Sequence, residues 1–200
     1  MASFGKGITM RLTCAGLLTV VMAGGCATLR EAAGPNGLTE LHQAEAALRA
    51  GETDRALVHL ERAWLVQGDE QPEVVTLLTA EVKLRQGEAA DALMLAQHAL
   101  EQDGGNPVAH EVAGKALLKL GRFGDAEQSF LSAQAAYPPD SPEHRQLEDF
   151  MNLARGLDAY AAGDPDVAHQ YWGGIQSKEL RFALDKAVRD QAQYARLPRP

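Results

Sequence analysis

Alanine and leucine recur on both sides of a glycine in three successive stretches of the chain. The stretches read AEAALRAGETDRALVHLERA, AEVKLRQGEAADALMLAQHA and GKALLKLGRFGDAEQSFLSA. Apolar residues that return at such intervals are typical of helices with one buried face. Because glycine adopts a left-handed backbone at low cost, it is expected to end the first helix of each stretch. The pattern predicts successive pairs of helices, each joined by a short turn.

The spacing of these glycines is nearly constant. Gly51, Gly87 and Gly121 are 36 and 34 residues apart. A fourth, weaker stretch, GLDAYAAGDPDVAHQYWGGI, places Gly163 42 residues after Gly121, and the insertion YPPDSPEH accounts for the extra length. A period near 34 residues with two helices per repeat is the sequence signature of one class of helical repeat array.

Small residues stand where the two helices of each repeat would cross, since large side chains at both places would push the helices apart. In the first helices these positions hold Ala44, Ala80, Gly114 and Gly156, and in the second helices they hold Ala56, Ala92, Ala126 and Ala168. One turn later in the second helix, a large side chain is expected to fill the space between repeats, with alanine as the exception in the second repeat. These positions hold Leu60, Ala96, Phe130 and Trp172.

This framework resembles the tetratricopeptide repeat (TPR) family over about residues 37–176. The resemblance implies an all-α fold in which antiparallel helix pairs stack into a right-handed superhelix. The four repeats are assigned to residues 37–70, 73–106, 107–140 and 143–176. A generic bundle of helical hairpins is the alternative.

Residues 177–200 follow the fourth repeat and carry apolar residues at helical spacing, over SKELRFALDKAVRDQAQYARL. A repeat array needs its last apolar face covered. The segment therefore predicts a C-terminal capping helix followed by a disordered tail. An amphipathic tail that binds a partner is the alternative.

The first 25 residues have the pattern of a signal peptide. Lys6 and Arg11 precede an uncharged run, LTCAGLLTVVMAGG, that ends in small residues. The run is shorter than the roughly 20 apolar residues that a membrane-spanning helix needs. Translation from Met10 would give a similarly compact leader.

The sequence VMAGGC resembles a lipobox, in which small residues precede a cysteine that is diacylated and becomes the mature N-terminus. The resemblance implies a leader over residues 1–25, a lipid on Cys26 and a linker over residues 26–36. Ala23 departs from the leucine or valine that is usual at its position, which leaves ordinary secretion as the alternative. By resemblance to Gram-negative lipoproteins, Ala27 implies sorting to the outer membrane, with the protein facing the periplasm.

Composition and charge exclude several classes of function. Apolar residues make up 46% of the chain and aromatic residues only 6%, which suits close-packed helices. The formal charge is −8, and loss of Lys6 and Arg11 with the leader would make it −10, so no basic surface remains for nucleic acid. Cys14 and Cys26 are the only cysteines, so the chain beyond Cys26 has no disulfide, thiol nucleophile or cysteine metal site.

The sequence lacks the residue patterns of common catalytic and cofactor sites. The six histidines include no pair four residues apart and no HExxH motif. The paired glycines are not followed by the Lys-Ser/Thr of a phosphate-binding loop. We therefore expect neither enzyme activity nor a bound metal or cofactor.

The TPR resemblance implies a partner-binding groove lined by the first helix of each repeat. Carried over position by position, the groove residues are Leu41, Glu45, Leu48 and Arg49, then Leu77, Glu81, Leu84 and Arg85, then Glu111, Lys115, Leu118 and Lys119. Leucines flanked by charges suit an extended or helical peptide. The charges four residues apart are equally consistent with ordinary helix-surface pairs, worth about 0.2–0.5 kcal/mol each.

The fourth repeat differs at the corresponding positions. It has the apolar residues Phe150, Leu153, Leu157 and Tyr160 there. Either the capping helix covers these side chains, or they form an exposed pocket for an anchor residue of the partner.

Together the two resemblances imply a non-catalytic, lipid-anchored adaptor for proteins of the cell envelope. The chain is similar to the TPR lipoproteins that help to assemble type IV or Flp pili and secretion channels. The alternative is a docking regulator of envelope enzymes such as peptidoglycan hydrolases, proteases or polysaccharide-export proteins.

The lipobox predicts that Cys26 carries lipid as the first residue of the mature chain. Mass spectrometry of the N-terminus of protein purified from bacterial envelopes is expected to find acylated Cys26. Cys26→Ser is expected to abolish the modification because serine has no thiol, and globomycin is expected to block maturation of the unaltered chain. A secreted chain with an unmodified N-terminus would contradict the prediction.

Overall fold

The computed structural model describes residues 37–67 and 72–194 of the chain. Helices and the turns between them make up the described residues, without a strand, which confirms the predicted all-α fold. The predicted leader, Cys26 with its predicted lipid and the predicted linker lie outside the described residues, as do residues 68–71 and 195–200.

The helices of the described residues follow one another through short connections. They are α1 (Gly37–Ala50), α2 (Thr53–Gln67), α3 (Pro72–Gln86), α4 (Ala89–Gln102), α5 (Pro107–Lys119), α6 (Phe123–Gln134), α7 (Pro142–Ala161), α8 (Pro165–Gly173) and α9 (Lys178–Tyr194). The chain divides into two compact units, one ending at Leu78 and the other beginning at Thr79. None of the helices in the described ranges is both long enough and apolar enough to cross a membrane.

The N-terminal unit contains α1 and α2 as an antiparallel pair joined by Gly51 and Glu52. Ala44 and Ala56, the small residues predicted at the crossing, are fully buried, and Leu60 is 2% exposed. The absence of large side chains at the crossing lets the two backbones approach closely, as the sequence predicts.

A buried polar pair also joins these two helices. Glu40 lies in the first turn of α1, and its Oε2 is 2.7 Å from Nδ1 of His59 on α2. Both side chains are more than nine-tenths buried. Burial of a polar group costs free energy unless it is hydrogen-bonded, so each residue satisfies its partner.

The predicted turn glycines have positive φ angles, which confirms their role in ending the first helix of each pair. The angles are 79° at Gly51, 88° at Gly87, 75° at Gly121 and 88° at Gly163. After α3, the Gly87 N–H donates to the Leu84 carbonyl (3.2 Å) and the Glu88 N–H donates to the Lys83 carbonyl (2.9 Å). This pair of bonds satisfies carbonyl groups that the helix end would otherwise leave open.

Side-chain caps followed by proline begin three helices of the C-terminal unit. Asn106, Ser141 and Asp164 each precede a proline and accept a hydrogen bond from the backbone N–H three residues later, at 3.0, 3.0 and 3.2 Å respectively. Such a cap contributes about 1 kcal/mol, and proline fits the first helical position because its missing N–H is not needed there. The caps set the starting points of α5, α7 and α8.

The core of the C-terminal unit depends on two glycines that lie against aromatic rings. A Cβ atom added to Gly114 on α5 would lie 2.5–2.8 Å from three ring carbons of Phe130 on α6. A Cβ atom added to Gly156 on α7 would likewise overlap the indole ring of Trp172 on α8. In the repeats whose first helix has alanine at this place, the residue sixteen positions later is leucine or alanine rather than an aromatic. The two members of each pair are matched in size.

The last helix, α9, covers the end of the helical array. Its Leu184 is 8% exposed and packs in one cluster with Trp172 and Ile175, and the partly buried Leu180 and Val188 pack against the same cluster. This contact confirms the predicted capping helix.

Asp149 of α7 attaches the start of α9 to the array. The buried carboxylate accepts a hydrogen bond from the Gln176 N–H at Oδ1 (2.7 Å) and another from the Ser177 N–H at Oδ2 (2.8 Å). Ser177 in turn accepts a hydrogen bond from the Leu180 N–H (3.2 Å) and so caps α9. The hydrogen bonds of Asp149 and the apolar contacts of α9 therefore both hold this helix against the fourth repeat.

Gly114→Ala is expected to lower the free energy of unfolding by about 1–2 kcal/mol. The added methyl must displace the Phe130 ring, and this overpacking outweighs the gain in helix propensity of about 1 kcal/mol. Denaturant unfolding measures the change.

Gly124→Ala is the matched control, because a Cβ at Gly124 meets no atom within 4 Å. It is expected to leave stability unchanged or to raise it slightly. Adding Phe130→Leu to Gly114→Ala is expected to relieve the clash, so the double variant should lose less stability than the sum of the single losses. Additive losses would contradict a direct contact between these two positions.

Asp149→Ala is expected to cost about 1.5–3 kcal/mol, because hydrogen bonds to a charged group contribute about that much and the N–H groups of Gln176 and Ser177 lose their acceptor. Hydrogen exchange should rise first in α9. Asp158→Ala on the exposed surface of the same helix is the control and should change little. Unaltered protection of α9 in Asp149→Ala would show that the carboxylate does not hold the cap.

Candidate functional site

A groove of about 480 Å³ runs over the first helices of three successive repeats, all within the C-terminal unit. Residues of α3, α5 and α7 line it: Glu81, Leu84, Arg85, Lys115, Leu118, Lys119, Phe150 and Leu153. The structure thus brings together six of the residues that the TPR resemblance assigns to the groove, and adds two from the fourth repeat.

The floor of the groove is apolar. Leu84 is almost fully buried, whereas Leu118, Phe150 and Leu153 are partly exposed. The Phe150 ring stacks on Phe130, with ring centroids 5.3 Å apart and planes 14° apart. Since Phe130 is itself fully buried, the exposed part of Phe150 rests on the core and presents a firm surface.

Lys115 lies over this floor at the centre of a charge cluster. Its Nζ is 2.8 Å from Oε1 of Glu111, 3.8 Å from Oε2 of Glu81 and 5.6 Å from the centre of the Phe150 ring. Two carboxylates on neighbouring helices and an aromatic face therefore hold one ammonium group. Glu111 does not line the groove but positions the lysine that does.

The rim of the groove carries further cations. Arg85 Nε is 3.4 Å from Oε1 of Glu81. Lys119 is exposed and forms no ion pair with the described residues. The lining therefore combines an apolar floor with three cations and one carboxylate.

Two pKa shifts occur close to the groove without belonging to its lining. Burial raises the pKa of Tyr137 above its ordinary 10.0, and the carboxylates of Glu111 and Glu143 raise it further. The hydrogen bond from Lys83 Nζ to Glu88 Oε2 (2.6 Å) raises the pKa of Lys83 above its ordinary 10.5. The phenol therefore stays neutral and the ammonium charged at physiological pH.

The groove residues predicted for the first repeat lie in the N-terminal unit. Glu45 and Arg49 form an exposed pair at 3.4 Å, which is the ordinary helix-surface contact that the sequence also suggested. Leu41 and Leu48 are each 4% exposed. Leu77 belongs to the second repeat but also lies in the N-terminal unit, and it is 6% exposed. These three leucines therefore contribute to the core. They offer little surface to a partner, in contrast to Leu118.

The fourth repeat combines the two alternatives that its sequence left open. Phe150 and Leu153 line the groove. Leu157 packs against the cluster that contains Trp172 and Leu184 of α9, and Leu153 contacts both the groove and this cluster. Tyr160 is 36% exposed and its ring lies 5.8 Å from that of Trp172. The positions of Phe150 and Leu153 in the repeat had already indicated the groove as one of the two alternatives.

Within the described residues, no group of three or more histidine, cysteine, aspartate or glutamate side chains could hold a metal ion. The carboxylates of the groove face cations instead. The arrangement can bind apolar and charged groups of a partner at the same time.

Residues 83–149 match the family model for the tetratricopeptide repeat. The match covers about one third of the chain and includes α4, α5 and α6 completely. It supports a TPR protein and the protein-interaction role that such repeats suggest. No curated protein matches the chain.

Proposed function

We propose that this protein is a non-catalytic adaptor that binds other proteins of the cell envelope through the groove of its C-terminal unit. The observation that carries the proposal is the groove itself. Leu118, Phe150 and Leu153 give it an accessible apolar floor, and Lys119 gives it an exposed cation without an ion-pair partner in the described chain.

The chemistry of the lining favours one kind of ligand. An extended or helical segment of a partner would place an apolar side chain on the floor beside Phe150 and acidic groups toward Lys119 and Arg85. The Lys115 ammonium already has two carboxylate neighbours, so it contributes less to attracting a charged partner. The partner segment is therefore amphipathic, with acidic residues near an apolar anchor.

The proposed location is the outer membrane, with the protein facing the periplasm and held by lipid on Cys26. The lipobox sequence VMAGGC and the uncharged run before it support this anchoring. Two acyl chains hold a protein at a membrane far more firmly than one. The proposed process is assembly of type IV or Flp pili or of a secretion channel, for which the resemblance to TPR lipoproteins of such systems is the support.

A charge reversal in the groove tests the binding site. Lys119→Glu is expected to weaken capture of the partner about tenfold, because it places a carboxylate where the partner's acidic groups approach. Both Lys119 and the control position, Lys186 on α9, are exposed, so neither substitution should alter the fold. Pulldowns from detergent-solubilised envelopes with the unaltered chain, Lys119→Glu and Lys186→Glu, read by quantitative mass spectrometry, measure the change.

The identity of the captured proteins tests the proposed process. Pilus or secretion components that are lost with Lys119→Glu and kept with Lys186→Glu support the proposal in full. Equal capture of partners by all three proteins would show that Lys119 and the groove around it do not contribute to binding. Recovery of cell-wall enzymes in place of pilus or secretion components would favour a docking regulator.

A further inference from the structure

The C-terminal end of α2 exposes three consecutive apolar side chains. Trp64 is 47% exposed, Leu65 is 82% exposed and Val66 is 39% exposed, and we refer to these three residues as the Trp64 patch. Consecutive residues on a helix point in directions that together span more than half of its circumference. The exposure therefore extends over more than one face at the end of α2, although Ala63 in the same turn is fully buried.

Such a run is unusual on a surface that only meets water. A single exposed leucine needs no explanation, because much of any protein surface is apolar. Three successive exposed apolar residues, with a tryptophan among them, are avoided unless they have a function.

The Trp64 patch lies at the end of the hairpin where the chain enters from its N-terminus. Since α1 and α2 are antiparallel and joined by only two residues, the last turn of α2 lies beside the start of α1 at Gly37. The 2.7 Å contact between Glu40, in the first turn of α1, and His59 on α2 is consistent with this alignment.

The length of chain before α1 limits how far this end can be from the proposed anchor. Gly37 lies eleven positions after Cys26. At a maximum of about 3.3–3.6 Å per residue, Gly37 stays within roughly 40 Å of the lipid. If Cys26 is lipidated, the end of the hairpin that carries the Trp64 patch is the end tethered to the bilayer.

We propose that the Trp64 patch inserts into the surface of the membrane that holds Cys26, so that the lipid and the end of α2 form a two-point attachment of the N-terminal unit. The inference rests on the proposed lipid anchor. Tryptophan suits the boundary between lipid and water because its ring is apolar and its N–H can meet a polar group. Glu61 and Arg62 on α2 have opposite signs, and Asp69, Glu70 and Glu73 follow the patch in the sequence. Because no net positive charge near the patch would attract anionic lipid, the proposed contact is apolar and high salt should not weaken it.

Tryptophan fluorescence of the lipidated protein in phospholipid vesicles tests the inference. The chain has two tryptophans, and Trp172 is only 6% exposed, so a change caused by lipid contact reports on Trp64. Vesicles of phosphatidylethanolamine and phosphatidylglycerol with brominated acyl chains are expected to quench Trp64, and high salt should not reduce the quenching. Trp64→Phe assigns the signal, since the quenched component should disappear with it.

Leu65→Glu is expected to shift the contact equilibrium away from the membrane by on the order of tenfold, because a large exposed apolar side chain is replaced by a charge. Met94→Glu is the matched control, since Met94 is 61% exposed on α4, outside the N-terminal unit, and should leave quenching unchanged. The N-terminal mass of each sample shows whether the lipid is present.

The outcomes separate this inference from the proposed anchor. Quenching that high salt does not reduce, that Leu65→Glu removes and that Met94→Glu retains supports membrane insertion. A lipidated chain whose Trp64 is not quenched overturns the insertion and leaves the anchor intact. An unmodified Cys26 overturns both, and quenching that changes with protein density at constant lipid would assign the Trp64 patch to a second copy of the chain instead.

Discussion

The close approach of Gly114 to Phe130 is the contact on which the candidate site depends. Because Gly114 has no side chain, the Phe130 ring can lie against the backbone of α5 and become fully buried. The same ring stacks on Phe150, which forms part of the groove floor. Lys115, the residue after Gly114, lies over Phe150. A packing constraint inside the repeat thus places both the apolar and the charged groups of the groove.

Much of the fold follows from residues that recur with the repeat. The turn glycines and the small residues at helix crossings could be predicted because each acts within one helix pair, so the same local requirement returns at each period. The capping helix could be predicted because an uncovered apolar face is costly in water. The contact of Asp149 with residues 27 and 28 positions later could not, since it depends on how the last helix docks. The buried pair of Glu40 and His59 likewise left no pattern in the sequence.

The groove could be predicted by position but not by accessibility. Leu84 and Leu118 occupy equivalent places in successive repeats, yet Leu84 is 3% exposed and Leu118 is partly open. The difference arises from the neighbouring helix, whose side chains decide what remains uncovered, and no single repeat contains that information. The same reasoning explains why Phe150 becomes part of the lining while Leu157 packs with the cluster under α9. Specificity in such an array depends on a few side chains set on a regular scaffold.

The central claim is that partners bind over Leu118 in the groove, and site-specific photo-crosslinking in living cells tests it most directly. A photoreactive amino acid at Leu118 lies on the groove floor, whereas one at Met94 is exposed on α4 and outside the groove. If partners bind over Leu118, position 118 should give discrete protein adducts and position 94 should give none of the same mass. The same adducts from both positions, or adducts from position 94 alone, would contradict it.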